Sequence, residues 1–204
     1  MDGGEPGAEY KRINSAINNR LIKNGKVFVG WNPNLINEGN YFYAFSHLPL
    51  HKLALPSSTF IVACLRDPIE RLFSLYKMLD HQRQEGGKHP GFFRQKKFLG
   101  DSFLEFIENL PKFELCNQLY MFSEDFSVGD AIRRASMLGC IMFTENFDAG
   151  VASINRQLGL NLKSMHMRAI VKSLHLSETD IEYLNLKLID EYKFINSVRH
   201  GAEA

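Results

Sequence analysis

Apolar residues gather in short runs separated by stretches of helical period. Residues 26–31 (KVFVGW), 41–47 (YFYAFSH), 59–65 (TFIVACL) and 140–144 (CIMFT) are rich in β-branched or aromatic side chains and are about strand length. They are continuously apolar rather than alternating, as in strands covered on both faces. Elsewhere the period becomes helical. Ile69, Leu72, Phe73, Tyr76 and Leu79 form one stripe. It starts at Asp67-Pro68-Ile69-Glu70, with an N-cap Asp, a Pro at the first helical position and a Glu at the third. Phe147, Val151, Ile154 and Leu158 form a second stripe, stopped at Gly159. Ser177 and Asp180 cap a third, carried by Ile181, Leu184, Leu188, Tyr192 and Ile195. Residues 102–110 and 128–138 also read as helices. Residues 80–100 (DHQRQEGGKHPGFFRQKKFLG) are polar, basic and glycine-containing, and read as a long surface loop. The alternation predicts an α/β fold with a parallel sheet and helices on both faces.

Composition narrows the class. A chain of 204 residues, 45% apolar and 23% charged, suits one globular domain with its own core. Residues 1–9 are Gly-rich and acidic and read as a loose end, leaving 10–204 as the domain. A net charge of +1 makes no general case for nucleic acid or a membrane surface, so any anion site has to be local. The three cysteines form no C-x-x-C pair, and no metal is expected. Cys64 and Cys140 lie in apolar runs and read as small buried hydrophobes. So few cysteines point to a reducing, cytoplasmic compartment, with the Golgi lumen as the alternative if a membrane anchor has been removed. No apolar run reaches the ~20 residues of a membrane span, and the first residues hold no signal-peptide core.

The candidate chemistry sits in residues 59–80. A buried strand ends at Arg66, and a helix begins one residue later. In open parallel sheets ligands bind outside the carboxyl ends of the strands. The helix N-terminus offers free N–H groups and the positive end of a dipole to an anion. Arg66 adds a planar fork that matches phosphate oxygens. At about 100° per residue, Glu70, Arg71 and Ser74 share the face opposite the apolar stripe, so a Ser74 hydroxyl there can reach a phosphate held by Arg66. The same pattern also serves an arginine paired with a carboxylate and a serine on a solvated face.

Arg66-Asp67-Pro68, Arg71, Ser74 and Tyr76 stand in the register of a known motif. The segment resembles the 3′-phosphate-binding motif of sulfotransferases that use 3′-phosphoadenosine 5′-phosphosulfate (PAPS). It is most similar to the carbohydrate group that includes heparan sulfate 2-O-sulfotransferase. Phe45-Ser46-His47-Leu48-Pro49 looks like that family's segment before the motif strand. Asn117-Gln118, Phe143-Thr144-Glu145-Asn146-Phe147 and Leu158-Gly159-Leu160 look like later pieces, so the likeness runs from about residue 41 to 160. It implies a P-loop-NTPase-like sulfotransferase fold and metal-free, in-line transfer of a sulfuryl group from PAPS to a hydroxyl, with a carbohydrate as the expected acceptor. It also implies that Arg66 and Ser74 hold the 3′-phosphate, that Arg168 belongs to a basic loop over the nucleotide along with Lys163, and that His47 is the general base. Imidazole suits that task because its pKa lies near the working pH. His51 is the alternative base, and a histidine that merely caps a strand is the structural alternative.

The family's 5′-phosphosulfate loop is not recognisable. Residues 3–13 resemble its glycines and following helix, without the strand or the lysine. The N-terminal strand is therefore expected to be missing or divergent. Arg83, Lys88, Arg94, Lys96 and Lys97, interleaved with Phe92 and Phe93, read as a solvated loop or as a surface for an anionic acceptor. Two rivals remain: a phosphotransferase, which would depend on magnesium, and a sulfotransferase-like module that binds without turnover.

Overall fold

The computed structural model describes residues 20–87, 90–164 and 176–203. The chain divides into two compact units, Met1–Phe60 and Ile61–Ala204. The protein is mixed α/β, and its strands lie in two small sheets rather than one.

The first unit holds a three-stranded sheet in the order β1-β2-β3. Strand β1 (Arg20–Lys23) pairs antiparallel with β2 (Lys26–Gly30). Their two-residue turn places Asn24 at φ 50° and Gly25 at φ 72°. Such left-handed turns match the twist of the strands, and Asn-Gly is their strongest sequence signal. The hairpin was thus legible in the chain, although the apolar runs alone did not point to β1. Helix α1 (Pro33–Glu38) is capped by Asn32, whose side chain accepts from the amides of Asn34 and Leu35 at 3.1 and 3.3 Å. Strand β3 (Tyr43–Phe45) then pairs parallel with β2, Phe28 opposite Tyr43 and Gly30 opposite Phe45.

The second unit is built on two parallel strands, β4 (Val62–Leu65) and β5 (Cys140–Phe143). Leu65 lies opposite Phe143, so Arg66 and Thr144 leave the sheet side by side. Between the strands run α2 (Pro68–Gln84), α3 (Pro90–Gln95), α4 (Phe103–Asn109), α5 (Lys112–Leu115), α6 (Asn117–Phe122) and α7 (Val128–Ala135). After β5 come a 3-10 turn at Thr144–Asn146, α8 (Phe147–Leu158), α9 (Glu178–Lys187) and α10 (Ile189–Glu203).

Helix α2 starts as its sequence predicts, with Asp67 accepting from the Glu70 amide at 2.9 Å and Pro68 in the first turn. Helix α8 ends at Gly159, whose φ of 62° suits a residue without a Cβ. Ser177 and Asp180 close a reciprocal capping box on α9. The third apolar stripe is carried by two helices, broken at Leu188.

Three expectations are corrected. The four apolar runs do not share one parallel sheet: 41–47 contributes β3 to the first unit, while 59–65 and 140–144 form the second sheet. Nor are these strands covered on both faces: β4 exposes Val62 and Cys64 and β3 exposes Tyr43, and the partner of each strand is set by register and tertiary packing. Nor is 80–100 a long loop. Helix α2 continues to Gln84, and α3 with a 3-10 turn at Lys96–Phe98 fills the second half. Phe92 and Leu99, seven residues apart among the charges, are buried and anchor this segment.

Leu72, Leu79, Phe106, Ile107, Leu119, Leu184, Leu188 and Phe194 are fully buried in the second unit. The Phe106 ring packs at a tilt 5.5 Å from Tyr76, and Phe122 likewise 5.0 Å from Phe194. Gly150 lets α8 approach β5, since a Cβ there would meet the Met142 side chain at 2.7 Å. Phe106→Ala is expected to cost about 3–5 kcal/mol, because it removes a fully enclosed ring whose space cannot collapse. A urea midpoint within error of wild type would contradict this packing.

Candidate functional site

Arg66 follows the last residue of β4 and precedes the cap of α2. A residue just past a strand end has backbone groups with no ladder partner. Here the side-chain amide of Gln118, on α6, takes both. Its Oε1 accepts from the Arg66 amide at 2.8 Å, and its Nε2 donates to the Arg66 carbonyl at 2.9 Å. The same Nε2 donates to Glu191 Oε1 at 3.1 Å. Glu191, on α10, is fully buried.

Arg71 sits one turn into α2, with Nε 3.5 Å from Glu191 Oε1. Its Nη2 donates to the carbonyls of Glu114, at 3.1 Å, and Leu115. Arg71 therefore does not lie on an open face beside Ser74, as the helical angles predict; α5 and α10 cover it. Burial pushes the Glu191 carboxyl above the ordinary carboxylate range, against the opposing pull of Arg71 and the Gln118 hydrogen bond. The Cys116 thiol is pushed up to about 11, first by burial and then by the Glu191 charge.

Asp67 ties the turn on its other side. Its amide donates to Glu145 Oε1 at 2.7 Å, and Tyr192 donates to its Oδ2 at 3.0 Å. Burial raises the Tyr192 hydroxyl pKa, with the Asp67 charge adding to it and the Ile69 amide opposing it. Arg199 lies 3.7 Å from the same Glu145 oxygen and over the Phe143 ring.

This geometry corrects the expected anion cradle. The amides of Asp67 and Glu70 are taken by carboxylates, and that of Ile69 faces the Tyr192 hydroxyl. The first turn is satisfied from within the protein, which is what an N-terminus with nearby acidic side chains prefers. The groups left for a ligand are side chains. The Arg66 side chain is 37% exposed, and its ion pair is with the exposed Glu70, at 3.4 Å. Ser74 lies two turns into α2 and is half-buried.

The structure thus gathers three of the segments singled out in the chain: the Arg66 turn, Gln118 and Glu145. Glu191, Tyr192 and Arg199 had not been singled out. A signal was present for Glu191, a carboxylate at a stripe position between Leu188 and Ile195 of an otherwise apolar helix face. Tyr192 had been read only as part of that stripe.

His47 belongs to the first unit, two residues past β3, and is exposed. Its ring lies 4.4 Å from Trp31, and Trp31 is 5.7 Å from Phe45. Trp31 holds this place from a left-handed backbone, φ 61°, which costs a non-glycine residue about 1–2 kcal/mol. Partial burial lowers the His47 pKa below its usual value. His51 lies in the 3-10 turn Leu50–Lys52 of the same unit.

Arg168 lies outside the described residues, as do Lys88, His89, His166 and His175. Lys163 is exposed. In the basic stretch Arg83 pairs with Asp80 at 2.6 Å, and Lys96 and Lys97 rest over the rings of Phe93 and Phe98. Among the described residues no cluster of His, Cys, Asp or Glu is placed to hold a metal, and no helix is long and apolar enough to cross a membrane.

No family model, curated protein or solved structure matches the chain.

The buried carboxylate gives a test. Glu191 holds its proton more tightly in the folded chain than in the unfolded one. Its contribution is therefore largest below the unfolded value, about 4.3, and is lost as pH rises through the raised folded value. Glu191→Gln does not titrate. The stability of wild type relative to this variant should fall as pH increases from about 4, measured by paired urea unfolding. A difference independent of pH, or rising with it, would contradict the burial of a titrating carboxyl here.

Proposed function

We propose that the chain is a PAPS-dependent sulfotransferase in which Arg66 and Ser74 hold the nucleotide's 3′-phosphate. The observation that carries this reading is the state of Arg66. Its main chain is clamped at both amide and carbonyl, while its guanidinium reaches a half-exposed position with one exposed carboxylate beside it. A surface pair of that kind is worth little, so an incoming phosphate displaces it at small cost. Phosphate then offers the fork two charge-assisted hydrogen bonds, and Ser74 can supply a third. The resemblance in the motif supports the same reading, since Gln118 and Glu145, from its later pieces, converge on the Arg66 turn.

The proposed reaction is in-line transfer of the sulfuryl group to an acceptor hydroxyl, with a carbohydrate as the proposed acceptor class. His47 is the proposed base. Its lowered pKa keeps the imidazole neutral, and able to accept a proton, at neutral pH. Arg168 is the proposed additional nucleotide contact.

Calorimetric titration with adenosine 3′,5′-bisphosphate tests the nucleotide site. Arg66→Ala should weaken binding by about 10–100-fold, the worth of a charge-assisted contact, and leave AMP binding nearly unchanged. Equal loss for both ligands, or no loss, would remove the 3′-phosphate assignment. Binding without sulfation of any hydroxyl acceptor would identify a module without turnover.

His47→Ala should lower turnover by about 10²–10⁴-fold with bisphosphate affinity kept. The wild-type rate should rise with pH through an apparent value below about 6.5. Full activity in His47→Ala with loss in His51→Ala would move the base to His51.

A further inference from the structure

The two arginines of the 66–74 segment occupy opposite environments. Arg66 leads to solvent, whereas Arg71 is spent on Glu191 and on two carbonyls of the protein interior. Between them lies a continuous chain of polar contacts: Arg71 to Glu191, Glu191 to Gln118, and Gln118 to both backbone groups of Arg66.

We propose that Gln118, oriented by the buried Glu191–Arg71 pair, is a positioning residue that aims the Arg66 guanidinium at the nucleotide's 3′-phosphate. This rests on the nucleotide reading above and extends it to residues that touch no ligand.

The argument is geometric. The direction of a side chain is set by its own backbone. Arg66 lies beyond the β4–β5 pairing, which ends at Leu65 and Phe143, so the sheet does not hold it. Gln118 supplies the missing partner, an acceptor for the amide and a donor for the carbonyl. An amide side chain can also attach the other way round or swing away. Glu191 removes that freedom: a carboxylate takes only the NH₂ end, which fixes Oε1 toward the Arg66 amide. Arg71 stands beside Glu191 and the amides of Gln118 and Leu119 face it, and these partners favour its carboxylate form against the larger opposing effect of burial. A buried charge is costly without such partners. A glutamine at 191 can present its own NH₂ to Gln118 and loses this polarity. The arrangement therefore turns a buried ion pair into orientation of an exposed cation.

The test compares adenosine 3′,5′-bisphosphate with AMP by calorimetry, on the whole chain, in wild type, Gln118→Leu, Arg66→Ala and the double variant. Gln118→Leu should weaken the bisphosphate about ten-fold and leave AMP within about two-fold. In the Arg66→Ala background it should change neither, because its action runs through Arg66. A purely structural role would weaken both ligands or neither, and would persist without Arg66. Circular dichroism establishes that each variant is folded. Where Gln118→Leu does not fold, Gln118→Glu serves: it keeps the acceptor for the Arg66 amide and loses the donors, and the same selective loss is expected. Unchanged bisphosphate affinity in a folded Gln118 variant, an equal loss of AMP, or a full effect without Arg66 would overturn the proposal. Bisphosphate affinity indifferent to Arg66→Ala but sensitive to Gln118→Leu would instead overturn the nucleotide reading.

Discussion

The second unit turns on how the chain leaves β4. A strand and a helix separated by only two residues leave several backbone groups unpaired at the same point. The protein satisfies them with side chains from distant segments: Gln118 on the Arg66 amide and carbonyl, Glu145 on the Asp67 amide, and the Tyr192 hydroxyl at the Ile69 amide. Unsatisfied buried backbone groups are costly, so this requirement draws α6, the turn after β5 and α10 together. The site and the fold are in this sense one arrangement.

Charge follows the same logic. Asp67, Glu70 and Glu145 stand about a helix N-terminus that favours negative groups, while Arg66, Arg71 and Arg199 stand among them. The cations are not equivalent. Arg71 is enclosed with Glu191, whereas Arg66, beside Glu70, and Arg199, between Glu145 and the Phe143 ring, are both partly exposed with exposed partners. Buried pairs resist exchange because separating them strands a charge, whereas an exposed pair exchanges partners readily. The ability to meet a new anion therefore lies with the exposed cations Arg66 and Arg199 rather than with Arg71.

In the first unit the corresponding feature is a strained one. Trp31 keeps a left-handed backbone at the end of β2 and sets its ring against His47 and Phe45. The His47 pKa is lowered by partial burial, although the residue is exposed overall. Strain of this kind persists where surrounding contacts over-determine it.

The sequence by itself determined the local events. The cap of α2 at Asp67, the stop of α8 at Gly159, the capping box of α9, the cores of β2 to β5 and the placement of Arg66 at a strand–helix junction follow from residue types and spacing alone. These depend on neighbours within one or two turns, which is the range over which propensity and period act. Only the tertiary structure decided which strands pair and which of their faces are covered, because apolar runs specify neither. It also decided that Phe92 and Leu99 pull a charged segment into ordered helix, and that the helix N-terminus is filled by the protein's own carboxylates. Glu191 shows the boundary most clearly. Its place on an apolar stripe was visible as a misfit, but its meaning came from Arg71, 120 positions before it, and Gln118, 73 positions before it. Contacts at such separations are chosen by packing and by the need to satisfy buried polar groups, and no local pattern in the chain records them.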